Sequence, residues 1–132
     1  MWKTLILWLF YLAFPLQGEL SLFDKAEKHL ADKEFSKALE SYETRSLLGG
    51  EPNEVFRSLL LTARIQELLE FPYDTVFTSY RKACNEYPLR AEPLFYLSQY
   101  CIKKEQLILS YLFAQEALKL KAPQDVKYVE AF

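Results

Sequence analysis

Few residues in this chain have the types and the spacing that catalysis or metal binding requires. The one histidine, His29, follows Lys28. The nearby Glu27 and Asp32 do not complete a defined set of metal ligands around it. The serines have no other histidine to act as a general base, so a serine triad is not expected. We interpret His29 as a surface or inter-helix residue and expect a chain that is not an enzyme, with no catalytic residues, metal ligands or cofactor.

The two cysteines, Cys84 and Cys101, are expected to be buried free thiols. They fall on the two arms of a predicted helical hairpin, roughly 9 Å and roughly 16 Å from its turn at 1.5 Å of rise per residue. This offset is awkward for a disulfide, whose Cα atoms lie within about 7 Å of each other. The cysteines therefore predict packing rather than redox chemistry.

Glycines and carboxylates give no further chemistry. The internal glycines are the adjacent pair Gly49 and Gly50, so the chain has no glycine-rich phosphate loop. Two carboxylate pairs, Glu51 with Glu54 and Glu67 with Glu70, are interpreted as solvated faces of helices.

Residues 1–18 resemble a secretory signal peptide. Lys3 precedes an apolar run from Leu5 to Phe14, and Gly18 supplies a small residue before the charged segment begins. Ten apolar residues are too few for a transmembrane helix, which needs about 20. The sequence predicts export to a periplasm, the cell envelope or the extracellular space, with only transient membrane contact. Because Leu16 breaks the usual cleavage box, an uncleaved membrane anchor or a buried N-terminal helix is the alternative.

The composition favours a small helical domain in the rest of the chain. Of 132 residues only three are glycine, and the formal charge is −2. This charge gives no electrostatic basis for binding nucleic acid or an anionic membrane. From Glu19 onward, apolar residues recur at intervals of three and four, which predicts six amphipathic helices and a short final helix near Asp125.

An internal repeat connects these helices. The pattern Phe35-x-x-Ala38-Leu39-x-x-Tyr42 aligns with a second copy that begins at Tyr73 and a third that begins at Leu107. Small residues at Ala38, Ser98, Ser110 and Ala117 would let helices approach closely. The chain resembles the tetratricopeptide repeat family over about residues 19–122. The resemblance implies an all-α, right-handed solenoid of about three helix hairpins, in a domain covering residues 19–132.

A second resemblance concerns residues 54–115. The segment Pro88-Leu89-Arg90-Ala91-Glu92-Pro93-Leu94 and the strings around it are similar to the tetratricopeptide-like region that accompanies some bacterial and giant-virus glycosyltransferases. No segment resembles a nucleotide-sugar-binding domain. The resemblance implies, as an alternative function, an accessory domain of a glycan-modification system without its own catalytic domain.

The leading expectation is a non-catalytic interaction module, a scaffold or adaptor for a protein or peptide partner. In a tetratricopeptide array the first helix of each hairpin lines the concave face, which suits an apolar peptide or a helix. The alternative is that the side chains predicted to line this face are buried in the hydrophobic core instead. The apolar C-terminal end also predicts either a homodimer through that end or a marginally stable domain. The predicted groove consists of Phe23, Glu27, Leu61, Ile65, Phe95, Gln99, Ile102 and Lys103.

Overall fold

The computed structural model describes residues 20–120, which are all-helical. The predicted signal peptide and the predicted final helix near Asp125 lie outside the described residues. Six α-helices follow one another with short connections and, within residues 20–120, no strand. They are α1 (Leu22–Ala31), α2 (Phe35–Leu48), α3 (Pro52–Leu68), α4 (Tyr73–Glu86), α5 (Glu92–Lys103) and α6 (Leu107–Lys119).

Local sequence explains where several helices begin. The Ser21 hydroxyl accepts a hydrogen bond from the Asp24 backbone N–H, which caps α1. The Glu51 carboxylate accepts the N–H groups of Asn53 and Glu54 at the start of α3, where Pro52 needs no hydrogen-bond acceptor. Gly49, at the end of α2, has φ of 66° and ψ of −155°, a conformation that only glycine adopts readily.

Three connections share one turn geometry. Lys33, Glu70 and Glu105 each have φ near 58°, in the left-handed region that follows many helix C-termini. In each case the next residue donates its backbone N–H to a carbonyl five residues earlier, at 2.8 to 2.9 Å. These turns join α1 to α2, α3 to α4 and α5 to α6. The six helices are therefore three hairpins with equivalent turns.

Each helix packs mainly on its neighbours in the chain, from α1 against α2 to α5 against α6. Side chains also connect alternate helices. Arg57 of α3 bonds to Glu27 of α1, and Lys103 of α5 bonds to Glu67 of α3. Phe113 of α6 contacts Phe77 of α4. The hairpins thus follow one another in space in the order in which they occur in the chain.

Helix α3 has apolar residues on two faces, and each face belongs to a different core. Leu61 and Ile65 pack with residues of α1 and α2, including Phe23 and Tyr42. Phe56, Leu60 and Ala63 pack with residues of α4 to α6. Helix α3, in the second hairpin, therefore packs against both the first hairpin and the third.

Three of the four predicted small residues, Ala38, Ser98 and Ser110, are buried, and Ala117 is partly buried. Ala38 is fully buried, and the Ser98 hydroxyl donates to the Ser110 carbonyl oxygen at 2.9 Å between α5 and α6. Cys84 and Cys101 are free, buried thiols, as their spacing predicts. Burial raises the pKa of the Cys84 thiol to about 11, so this cysteine is not a reactive thiolate at neutral pH.

Candidate functional site

The structure divides the predicted groove residues into two sets. Phe23, Leu61 and Ile65 are buried in the core between α1, α2 and α3, which is the alternative that the sequence left open for them. Phe95, Gln99, Ile102 and Lys103 are exposed and share one face of α5, since they are three or four residues apart. We call these four residues the α5 face. Glu27 belongs to neither set because it is engaged in a polar network.

Glu27 connects the first two hairpins. Its carboxylate accepts a hydrogen bond from the Tyr42 hydroxyl of α2 at 2.7 Å and a bidentate pair from the Arg57 guanidinium of α3. The Arg57 side chain is only 7% exposed. Burial opposes its charge, but hydrogen bonding and attraction to Glu27 outweigh burial and raise the pKa of Arg57. Burial and the Glu27 charge also raise the pKa of Tyr42, so its hydroxyl remains a donor.

Glu67 makes the equivalent connection between the second and third hairpins. It accepts a hydrogen bond from the Tyr80 hydroxyl of α4 at 2.6 Å and pairs with Lys103 Nζ of α5 at 3.1 Å. Burial, followed by the hydrogen bond to Glu67, raises the pKa of Tyr80. Tyr42 and Tyr80 occupy the same position in the sequence repeat. The same arrangement therefore occurs twice. In each case a glutamate bonds to a tyrosine of its own hairpin and to a cationic side chain of the next hairpin.

These contacts correct the interpretation of two carboxylates as purely solvated. Glu67 is held by Tyr80 and Lys103, and Glu54 accepts two bonds from the largely buried Arg45 guanidinium at 2.9 and 3.0 Å. The sequence did not identify Arg45 or Arg57 as structural residues because helical periodicity does not distinguish a buried arginine from an exposed one. The sequence feature that could have indicated these networks is the recurrence of Tyr42 and Tyr80, each preceded by a glutamate on the previous helix.

A groove of about 410 Å³ lies between the C-terminal ends of α3 and α5, beside the Glu67 network. Leu68 and Phe71 form its apolar wall, and Glu70, Lys103 and Lys104 supply charges. We call it the α3–α5 groove. It adjoins the α5 face through Lys103, which belongs to both.

Tyr100 also lines this groove and is almost completely buried. Its ring stacks on Tyr73 with centroids 5.7 Å apart, and Lys104 Nζ lies 5.8 Å from its centroid. Its hydroxyl has no hydrogen-bond partner among the described residues. By contrast, a second cleft of about 290 Å³ is lined by Gln66 and Ser79, which already bond to each other at 2.5 Å. Arg57 Nη1 and Ser58 Oγ are also buried without a hydrogen-bond partner among the described residues, but of these three residues only Tyr100 lines the α3–α5 groove.

Within residues 20–120 no group of histidine, cysteine and carboxylate side chains is arranged to hold a metal ion. His29 is half-buried, with Nδ1 at 3.3 Å from the Glu34 carboxylate. The described helices include none with the length and apolar character needed to span a bilayer. No protein-family model, curated protein or solved structure matches this chain.

Proposed function

We propose that this chain is a non-catalytic protein-interaction module, an exported scaffold or adaptor built as a tetratricopeptide-like right-handed solenoid. Three features of the fold support the solenoid. The three hairpins have equivalent turns, they pack in chain order, and the Glu–Tyr–cation arrangement recurs between successive hairpins. In such a stack, α1, α3 and α5 form one surface and α2, α4 and α6 form the other.

The observation that carries the proposed function is the location of the α5 face beside the α3–α5 groove. Phe95 and Ile102 are 54% and 56% exposed, although large apolar side chains are usually buried. They lie on the α5 face, which adjoins the groove through Lys103. An exposed apolar face beside a groove is typical of an interaction site. The partner we propose is an amphipathic peptide or helix whose apolar side chains contact Phe95, Ile102 and Phe71.

Charge specifies this partner further. Lys103 is already paired with Glu67 at 3.1 Å, whereas Lys104 contacts the Tyr100 ring and no carboxylate within residues 20–120. A carboxylate on the partner would pair with Lys104 at the edge of the apolar patch. Such pairs fix the orientation of a partner more than they add affinity. The proposed ligand is therefore an apolar segment with an acidic residue beside its anchor.

The test is affinity capture from an envelope fraction with matched variants. Wild-type protein, Phe95→Glu and the control Leu47→Glu serve as baits. Leu47 is 77% exposed and lies on α2, where it lines the second cleft and not the α3–α5 groove. We expect one protein that is retained by wild type and Leu47→Glu and lost from Phe95→Glu. A photo-reactive residue at Gln99 should cross-link to the same protein.

Two results would contradict this proposal. Equal capture by all three baits would show that the α5 face takes no part in binding. Retention that depends on a glycan and not on a protein would instead favour the accessory role in glycan modification. Circular dichroism of each bait checks that the exposed substitutions leave the helices intact.

A further inference from the structure

The outward face of α6 has the spacing of a helix-pairing seam. Leu107, Tyr111, Ala114 and Leu118 are separated by four, three and four residues, the interval of the two core positions in a coiled coil. Leu107, Tyr111 and Leu118 are 67%, 63% and 85% exposed, and Ala114 is half-buried. We call these four residues the α6 seam.

The opposite face of α6 already packs on the rest of the protein. Phe113 and Ser110 are buried, and Leu109 and Ala117 contact the core shared with α3, α4 and α5. Helix α6 is therefore apolar on its inner and its outer side. A helix with this distribution is normally covered on both sides, whereas the surface helix of a monomer has a polar outer face.

The seam is complementary to itself when two copies run antiparallel. A two-fold axis near residues 112 and 113 places Leu107 opposite Leu118 of a second copy, and the large Tyr111 opposite the small Ala114. Self-complementarity of this kind is what a two-fold interface requires, because the same patch must serve both copies. Antiparallel helices also bring the positive end of one helix dipole beside the negative end of the other.

Charges at the ends of α6 fit the same arrangement. Glu105 immediately precedes the helix and Lys119 is its last residue, and both are exposed. Neither forms an ion pair within residues 20–120. In the antiparallel pair, Glu105 of each copy lies near Lys119 of the other. A parallel pair would bring like charges together instead.

We infer that the α6 seam binds a second copy of this chain, in an antiparallel two-fold dimer. The seam lies on α6 and the α5 face on α5, so the two proposals concern different surfaces. One helix face is smaller than the roughly 800 Å² per partner of a standard stable interface. The dimer is therefore expected to be weak and to depend on protein concentration.

Chemical cross-linking of the full chain tests the orientation. Positions 107 and 118 are roughly 16 Å apart along one helix at 1.5 Å per residue. A bis-maleimide linker shorter than this cannot join them within one copy. We expect the double variant Leu107→Cys/Leu118→Cys to form a covalent dimer, while either single variant does not. Wild type is the background control, because Cys84 and Cys101 are buried.

A charge swap tests the ends of the helix by sedimentation. Glu105→Lys or Lys119→Glu alone should weaken the dimer by roughly threefold or more, since each creates two like-charge contacts. The double variant should recover wild-type association. Leu118→Glu should abolish association while Leu47→Glu retains it, and circular dichroism should show unchanged helix content for both.

Three outcomes would overturn the inference. Cross-linking of the single variants would indicate parallel pairing or non-specific aggregation. A monomer at all concentrations, without cross-linking of the double variant, would show that the seam does not bind a second copy. Failure of the charge-swapped double variant to recover association would exclude the antiparallel register.

Discussion

At the scale of single residues, two glutamates connect successive hairpins, Glu27 through the buried Arg57 and Glu67 through the exposed Lys103. Tyr42 and Arg57 converge on Glu27, and Tyr80 and Lys103 converge on Glu67. The Arg57 side chain is almost inaccessible to water, so its contribution depends on its partner. Removing one member of such a pair leaves a desolvated group without compensation.

Glu27→Ala should lower the free energy of unfolding by about 3 kcal/mol, since it leaves Arg57 buried and unpaired. Glu34→Ala is the matched control. Glu34 also bonds Lys37 at 3.0 Å and His29 at 3.3 Å, but its carboxylate is at the surface, and each contact should contribute less than about 1 kcal/mol. Urea unfolding followed by circular dichroism measures both. Equal effects of the two substitutions would contradict a special role for the buried network.

Stability should fall at alkaline pH because burial raises the pKa of both Tyr42 and Tyr80. Their folded pKa values exceed the unfolded value of about 10, so the neutral phenols favour the folded state. This contribution is complete below about pH 10 and is lost as pH rises further. Each tyrosine should remove about 1.4 kcal/mol per pH unit in that range.

Thermal unfolding between pH 8 and pH 11 measures this decline. The double variant Tyr42→Phe/Tyr80→Phe should be less stable at pH 8, because Glu27 and Glu67 each lose a hydrogen bond, but its decline should be shallower. An equally steep decline in the double variant would assign the pH dependence to other groups. Cys84, whose pKa burial raises to about 11, would be one of them.

At the scale of elements, the three hairpin turns adopt a backbone conformation that their residue types do not favour. Lys33, Glu70 and Glu105 adopt a left-handed conformation that glycine adopts without steric cost. Each turn nevertheless closes with the same backbone hydrogen bonds. The packing of the two helices in each hairpin therefore imposes the turn on residues that do not favour it.

Lys33→Gly should raise the free energy of unfolding by about 0.5 to 1 kcal/mol, since it relieves the left-handed strain at an exposed site. Ser36→Gly is the control, because glycine in the first turn of α2 should instead cost about 0.5 kcal/mol relative to serine. Guanidinium unfolding of both variants gives the comparison. A destabilised Lys33→Gly variant would show that the Lys33 side chain contributes contacts that outweigh the strain.

At the scale of the whole molecule, stability should be greatest at α3 and decline toward both ends. Helix α3 contributes Leu60 and Ile65, both fully buried, to two different cores. Helix α6 belongs to one core and exposes most of its outer face. In a linear stack each hairpin contacts only its neighbours, so the ends open more easily than the centre.

Native-state hydrogen exchange should therefore show the slowest amide exchange in α3 and faster exchange in α6. The measurement should be made at low protein concentration, where the proposed dimer is dissociated. Raising the concentration should then slow exchange selectively in α6, if two copies pair through the seam. Uniform exchange across the six helices would show that the three hairpins unfold as one cooperative unit.

The sequence alone predicted the six helices and the small residues between them, of which Ala38, Ser98 and Ser110 are buried. Both predictions follow from the local periodicity of apolar residues. It could not determine which predicted groove residues are core, because Ile65 and Ile102 have the same side chain, yet Ile65 is fully buried and Ile102 is 56% exposed. The two isoleucines differ in how their helices are rotated against their neighbours. The tertiary structure decided this rotation.

Tertiary structure also decided the partners of charged side chains. Glu27 and Arg57 come from helices in different hairpins, and no interval within one helix brings them together. It further showed that α6 has an apolar face left exposed by the described residues. A helical period specifies that a face is apolar, whereas only the stacking of hairpins specifies which apolar faces are covered.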